Sequence, residues 1–439
     1  MEAILASTAD STDVLPPSLK YGIDPTGSFV TAKNERTVFA LGSSYSPSGV
    51  KLLQIPFGST TEWLVPESVV FSANFKNNSG TEALWPASPD ANCLFERIDI
   101  RLGGNLVESV TESARVNQLL TNLTMSPQKK LNSAQMGFGT NVPSATDNTG
   151  WSAAFQHTAA LVDAHATTRI HWKCNLSGLL SQHRWLPLYA LSGQGLTVSF
   201  FLAPGADSTI KSFGGTTYSQ DYTLTEVKAH CTMCQIADEL MESFQSQLLA
   251  GNPIRIPIKK LESMYSYVPT SATASKFSIP MTRNYTRLAA LFASFVQEPP
   301  ADGSGKNKLC NSFYVHTASR ETLAYNLQVG SRRIPDNDVV GFGESWYRLL
   351  NAIGIGGSLS HASGITYADY ATNSYALCVD LEKIPHLSSS GENVSNVGQI
   401  TLNISGFGTV AADLPSRCHL LCQTDAVIEL RDTTVELFE

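Results

Sequence analysis

The feature that most constrains this chain is a unit that occurs once in each half. A short alternating strand meets a glycine turn, a second short strand follows, and an amphipathic helix comes next. In the first half it reads Phe95-Glu-Arg-Ile-Asp-Ile-Arg-Leu-Gly-Gly-Asn-Leu-Val-Glu-Ser-Val, then Glu112-Ser-Ala-Arg-Val-Asn-Gln-Leu-Leu. In the second half it reads Tyr325-Asn-Leu-Gln-Val-Gly-Ser-Arg-Arg-Ile-Pro, then Glu344-Ser-Trp-Tyr-Arg-Leu-Leu. Val116, Leu119, Leu120 and Leu123 make the apolar stripe of one helix; Trp346, Leu349, Leu350 and Ile353 make that of the other. Both stripes have the i, i+3, i+4, i+7 spacing of a helix lying on a core. A duplicated β-rich unit predicts two related domains and moves the question from a reaction to an assembly.

The chain has 439 residues, too many for one ordinary core and enough for two domains of about 200 residues each. Charged residues make up only 15%, against a typical figure of about 25%. Much of the surface is therefore expected to be covered by partners or built from uncharged polar loops. The net charge is −8, and no run of Lys or Arg exceeds two. Phosphate binding needs clustered cations that release counterions, so direct nucleic-acid binding is not expected. Residues 1–17 hold three acids and no base, which is the opposite of a basic arm that wraps a genome.

No stretch reaches the roughly 18 apolar residues that span a bilayer; residues 288–296 are only strand-length. The start of the chain lacks the basic and apolar regions of a secretory signal. Synthesis in a reducing compartment is expected, with the eight cysteines as thiols.

Residues 1–25, punctuated by Pro16-Pro17 and Pro25-Thr-Gly, read as a flexible arm. Alternating runs then follow. Ile98, Ile100 and Leu102 alternate with Arg97, Asp99 and Arg101; Ile170, Trp172, Cys174 and Leu176 alternate with polar residues. Ile254, Ile256 and Ile258, then Leu377, Val379 and Leu381, then Ile400, Leu402 and Ile404 continue the pattern. Period-two alternation means one buried and one open face. A further helix is predicted from Asp238, read as its N-cap, to Ala250, with Leu240, Phe244 and Leu248 as its stripe and Gly251 at C′. The predicted fold is all-β: two eight-stranded jelly-roll β-sandwiches in tandem with a few short inserted helices. The boundaries are a first jelly roll at 26–237, a linking helix at 238–251 and a second jelly roll at 252–439. Residues 126–165 and 355–374 read as long loops after the inserted helices, at the same end of each sandwich.

Several stretches carry a family resemblance. Asn175-Leu-Ser-Gly-Leu-Leu-Ser-Gln-His-Arg-Trp-Leu-Pro-Leu-Tyr-Ala-Leu, with the strand from Leu196 to Leu202, resembles a segment of double jelly-roll major capsid proteins. The variants it is most similar to are those of virophages, polinton-like viruses and related eukaryotic DNA viruses. Arg97-Ile-Asp-Ile-Arg-Leu-Gly-Gly-Asn-Leu-Val-Glu, Tyr222-Thr-Leu-Thr-Glu-Val through Gly251, Leu327-Gln-Val-Gly-Ser-Arg-Arg-Ile-Pro and Cys378-Val-Asp-Leu-Glu-Lys are similar to further segments, in order, over roughly residues 50–430. Arg184 departs from the pattern, where a Lys is expected. The resemblance implies a homotrimer acting as a six-cornered capsomer that tiles an icosahedral shell in a virion. Neighbouring capsomers and minor capsid or penton proteins would be its partners, and an internal membrane could lie beneath. It implies no enzyme activity and no cofactor.

Cys231-Thr-Met-Cys234 is a C-x-x-C, but no parallel α/β pattern surrounds it. Cys418 and Cys422 could supply the second half of a zinc site. Strand spacing puts those two thiols roughly 13 Å apart, at about 3.3 Å per residue, so buried structural thiols are the expectation. His171 and His316 stand alone, with no H-x-H or H-E-x-x-H. The glycines around Gly193, Gly341, Gly354 and Gly356 fit no dinucleotide fingerprint or nucleophile elbow and read as turns and helix ends. Asp369, Asp380 and Glu382 could form a glycosidase pair, and nothing distinguishes them from surface acids. Catalytic, cofactor and metal residues are accordingly predicted as none. The rivals are a two-sandwich carbohydrate-active enzyme and a lectin-like adhesion protein, for which Trp151 is the one platform candidate. Trp346 is expected in the core, where truncation to Ala costs about 3–5 kcal/mol.

Overall fold

The computed structural model describes residues 29–141, 158–191, 195–210, 212–213, 216–268, 276–296, 313–357, 363–372, 374–384, 390–408, 413–431 and 434–439. The arm expected at residues 1–25, Gly193 and Trp151 lie outside them.

Among the described residues, eight strands of six residues or more build the first half: β1 (Val30–Phe39), β2 (Leu52–Phe57), β3 (Trp63–Asn77), β4 (Phe95–Leu102), β5 (Asn105–Thr111), β6 (Thr167–Trp172), β7 (Leu196–Leu202) and β8 (Tyr222–Ile236). Helix α1 (Ser113–Thr124) stands between β5 and β6. After α2 (Asp238–Leu249) come β9 (Ile254–Tyr267), β10 (Lys276–Pro280), β11 (Leu288–Val296), β12 (Ala324–Val329) and β13 (Arg332–Val340). Then follow α3 (Gly341–Ala352), β14 (Ala376–Asp380), β15 (Ile400–Ser405), β16 (Arg417–Arg431) and β17 (Thr434–Phe438).

The first roll has one sheet ordered β1-β8-β3-β6 and a facing sheet ordered β2-β7-β4-β5. The second has β9-β16-β11-β14 and β10-β15-β12-β13. Every strand number rises by eight, and every one of these pairings is antiparallel. This is the jelly-roll order, present twice. Among the described residues, no ladder joins a strand of one roll to a strand of the other.

Local chemistry explains the repeated unit. Gly103 (φ 54°) and Gly104 (φ 88°) turn β4 into β5, and Gly330 (φ 60°) turns β12 into β13; these left-handed angles suit glycine. Val116, Leu119 and Leu123 are buried under α1. The second helix starts earlier than predicted, at Gly341, and its anchor is Phe342, 1% exposed. Trp346 is a correction: it is half-buried, at 4.7 Å from Tyr370 and 6.2 Å from Tyr367 between ring centroids. The helix reaches the core one turn before the tryptophan, so the indole covers the rim.

Helix α2 also departs in detail. Its N-cap is Ala237, with no side-chain cap, and Asp238 is its first residue. Strand β8 runs almost directly into it, and Asp238 and Glu239 sit in the first turn, where a negative charge favours the helix dipole. Of the predicted stripe only Leu248 is buried; Phe244 packs on Trp63 at 5.2 Å. Gly251 lies at C′ with φ 83°.

The two predicted loops hold structure. Residues 126–141 include the helix Pro127–Ala134, with Ser126 as N-cap. Residues 363–372 include Tyr367–Tyr370, closed by a capping box between Thr366 and Asp369. The segments touch: Lys130 Nζ donates to Gly364 O at 3.2 Å, and burial pushes the Lys130 ammonium down to about 8. Among the described residues no helix is long and apolar enough to cross a membrane.

Candidate assembly surfaces

The rolls meet along a seam. The edge strand β5 and the start of α1 lie on the outer face of the β9–β16 sheet. Thr111 Oγ1 donates to Ser263 O at 3.2 Å, and Ser263 Oγ donates back to Thr111 O. Asn105 Nδ2 donates to Val435 O at 2.8 Å, and Arg184 Nη1 to Arg255 O at 3.0 Å. Glu112, at φ 52°, faces Arg417 at 3.8 Å. A Cβ on Gly178 would lie 2.1 Å from Lys259 O, so only glycine permits this approach of the two backbones.

Glu108 sits behind the seam, 3% exposed. It accepts from Ser177 Oγ, from Gly178 N at 2.8 Å and from Leu179 N at 3.3 Å. Burial pushes its carboxyl up to about 7, against the pull of these donors and of Lys260. Lys260 is itself buried and paired with Glu262 at 2.6 Å and with Glu439. Arg283 Nη1 and Tyr285 OH complete the shell of Glu262 at 2.9 and 3.0 Å. Burial would raise the Glu262 carboxyl, but Lys260 and Arg283 outweigh it and hold it low. Beside the seam runs a groove of about 1070 Å³, lined among others by Leu120, Gly178, Leu261, Phe292, Ile353 and Glu382. Strand β11 is buried along its whole length: Leu291 and Phe295 belong to the second core, and Ala290 and Phe292, also buried, back the groove.

The residues singled out in the sequence are dispersed. Cys231 and Cys234 lie on β8 in the first roll; Cys418 and Cys422 lie on β16 in the second. All four are buried thiols. Burial pushes Cys231 up to about 11 and Cys422 up to about 12, which disfavours the thiolate a metal would need. Among the described residues, no group of three His, Cys, Asp or Glu side chains is placed to hold a metal. His171 lies on the outer face of β6, and His316 faces Asp413 at 3.4 Å. Gly341 (φ 78°) starts α3, Gly354 (φ 76°) follows its end, and Gly356 packs on Asn351. Asp369 is committed to its capping box. Asp380 and Glu382 share the groove, but Asp380 accepts the Glu382 N–H at 3.0 Å and Glu382 pairs with Lys259 at 2.9 Å. Sequence reasoning missed Glu108, Ser177 and Lys260. The only local signal was a Ser-Gly helix start at Ser177; its partner stands 69 residues earlier.

No family model and no curated protein matches the sequence. Solved structures do. The chain is similar to the Faustovirus major capsid protein at TM-score 0.63 and 9% identity, over 96% of this chain and 93% of that one. It is similar to PBCV-1 VP54, as fitted into a reconstruction of the virophage Sputnik, at TM-score 0.62 and 11% identity, over 96% and 100%. The mavirus major capsid protein matches at TM-score 0.51 and 10% identity, over 98% and 95%. At such identities the likeness speaks of backbone architecture, and with both rolls matched along nearly the whole chain, this protein has the double jelly-roll fold of those virus capsid proteins.

Proposed function

We propose that this protein is a major capsid protein: a structural subunit that trimerises into pseudo-hexameric capsomers and tiles an icosahedral virus shell. Its working units are an arm at 1–25, a first roll at 26–237, a linking helix at 238–251 and a second roll at 252–439. Its place is the virion, and its partners are its own copies, neighbouring capsomers and minor proteins at the vertices. Its role is mechanical, not catalytic. The observation that carries this reading is that the same strand order occurs twice in one chain and matches capsid proteins over nearly their full length. Supporting it, the two rolls are joined by a seam of polar contacts, most of them part-buried, so each chain offers two corners held in a fixed relation. Low charge content suits flat sides that pack against copies.

Light scattering after gel filtration, followed by electron microscopy, tests the reading. A species near three times 47.4 kDa, or closed shells with six-cornered units, is expected. A monomer that stays dispersed at high concentration would overturn it.

A further inference from the structure

We propose that His419 is an acid-operated release for the seam between the two rolls: a proton taken up there drives the β5–α1 edge of the first roll off the β9–β16 sheet of the second. The device belongs to a single chain and does not rest on the assembly reading above.

Register places the residue. His419 stands opposite Tyr265 on β9 and opposite Ser294 on β11, so its side chain shares a face with Tyr265. Ser263, two residues back along β9, is on that same face and bonds Thr111 of the first roll. His419 therefore points at the first roll and not into the second core. It is 7% exposed, and its ring centroid lies 6.2 Å from that of Tyr265. Its Nε2 is buried without a hydrogen bond.

The surroundings decide what a proton does there. The start of α1 brings Arg115, itself buried, and β16 brings Arg417. Tyr265 and Ser294 are neutral, and Lys260 and Glu262 project from the other face of β9. The acid of the cluster is Glu112, which faces Arg417 at 3.8 Å. Protonation makes both ring nitrogens donors. It sets a third cation beside two guanidinium groups and gives Nε2 no acceptor. A buried charge without a partner is costly, and the ring regains water when the rolls part.

The sign follows. Burial, with Arg115 and Arg417 adding to it, holds the imidazole well below its ordinary value of 6.5. A released ring titrates at that ordinary value. Between the two, the open seam binds a proton that the sealed seam refuses. The seal is therefore full above pH 6.5 and weakens as pH falls. Glu108 behind the seam works in the opposite sense, because burial raises its carboxyl instead. The groove beside the seam, with Leu120 on one wall and Leu261 and Phe292 opposite, opens with it, so acid uncovers apolar surface that neutral pH hides.

Hydrogen exchange of the full chain, read by mass spectrometry over residues 111–116 and 263–267 from pH 7.5 to pH 5, tests this in wild type and His419→Phe. Phenylalanine keeps a ring on Tyr265 and cannot take the proton. Glu108 is present in both chains, so the ratio of their opening constants isolates His419. Corrected for the intrinsic pH dependence of exchange, that ratio is expected to hold steady above pH 6.5 and to grow about tenfold per pH unit below it. A ratio that stays flat across the range overturns the assignment. His419→Gln, run alongside, is expected to behave as His419→Phe; if it loosens in acid like wild type, the effect is not titration of His419 and the proposal falls. A histidine NMR titration, with the His419 signal identified by its loss in either variant, gives a second reading. A His419 that stays neutral well below pH 6.5 in the sealed chain supports the release, and one that titrates at its ordinary value overturns it.

Discussion

The two rolls share a strand order but not an interior. Beneath the first lies a dry aromatic cluster: Trp172 stands 5.8 Å from Phe71, 5.2 Å from Phe95 and 5.8 Å from Phe200 between ring centroids. The Trp172 Nε1 is buried without a hydrogen bond. The second roll fills the matching space with tyrosines. Tyr370 and Tyr375 lie tilted at 5.1 Å between ring centroids, and Ser345 of α3 meets their hydroxyls at 2.7 and 3.2 Å. Tyr370 OH also donates to Ala376 O at 3.0 Å, and Tyr325 OH to Cys378 O at 3.3 Å. One core leaves a donor unpaid and gains from area; the other pairs its hydroxyls and gains specificity. Topology, not interior chemistry, is what the duplication preserved.

The largest expected effect attacks the dry core. Trp172→Ala should cost ~3–5 kcal/mol and lower the unfolding temperature of the first roll in calorimetry before that of the second. Next comes the seam. Burial pushes the Glu108 carboxyl up to about 7 in the folded state, from an ordinary value of 4.5. The folded chain therefore holds a proton that the unfolded chain has released between these values. The stabilising contribution is full below about pH 4.5 and is lost as pH rises through 7, by ~3 kcal/mol. Glu108→Gln should flatten this slope in denaturant titrations run at pH 5 and pH 8; an unchanged slope would assign it elsewhere.

Tyr370→Phe then probes the wet core. It leaves Ser345 with one partner fewer and should cost ~1–3 kcal/mol, visible in the second roll's transition. The smallest effect is Trp346→Ala. A rim position predicts ~1–2 kcal/mol, since only part of the ring leaves water; a loss above 3 would return Trp346 to the core.

Period-two runs such as Ile400, Leu402 and Ile404, all buried as expected, made the strands legible, because alternation is a local property. The glycine turns and both inserted helices were legible for the same reason. The start of α3 was not. Phe342 follows Gly341 and looks like loop until the strand before it is known. Trp346 misled because size suggests burial while the helix's azimuth decides it. The seam was out of reach. Glu108 reads as an outward residue on an alternating strand, and its partners lie at Ser177, Gly178 and Lys260. Only the folded chain brings those positions together.

Strand β8 lies between β1 and β3, and β16 lies between β9 and β11. In each roll a strand made late, β8 or β16, occupies the centre of its sheet, so neither sheet can zip up progressively during synthesis. The first roll stays an open clamp until residue 236 emerges, and the second waits roughly 180 residues more for β16, about 10–40 s at 5–20 residues per second. Through that interval Glu108 has its first-roll donors Ser177, Gly178 and Leu179, but the outer side of β5 waits for the finished β9–β16 sheet. A cell making this protein in quantity therefore handles a long-lived population of half-finished subunits, already shaped at one end and unable to lock at the other.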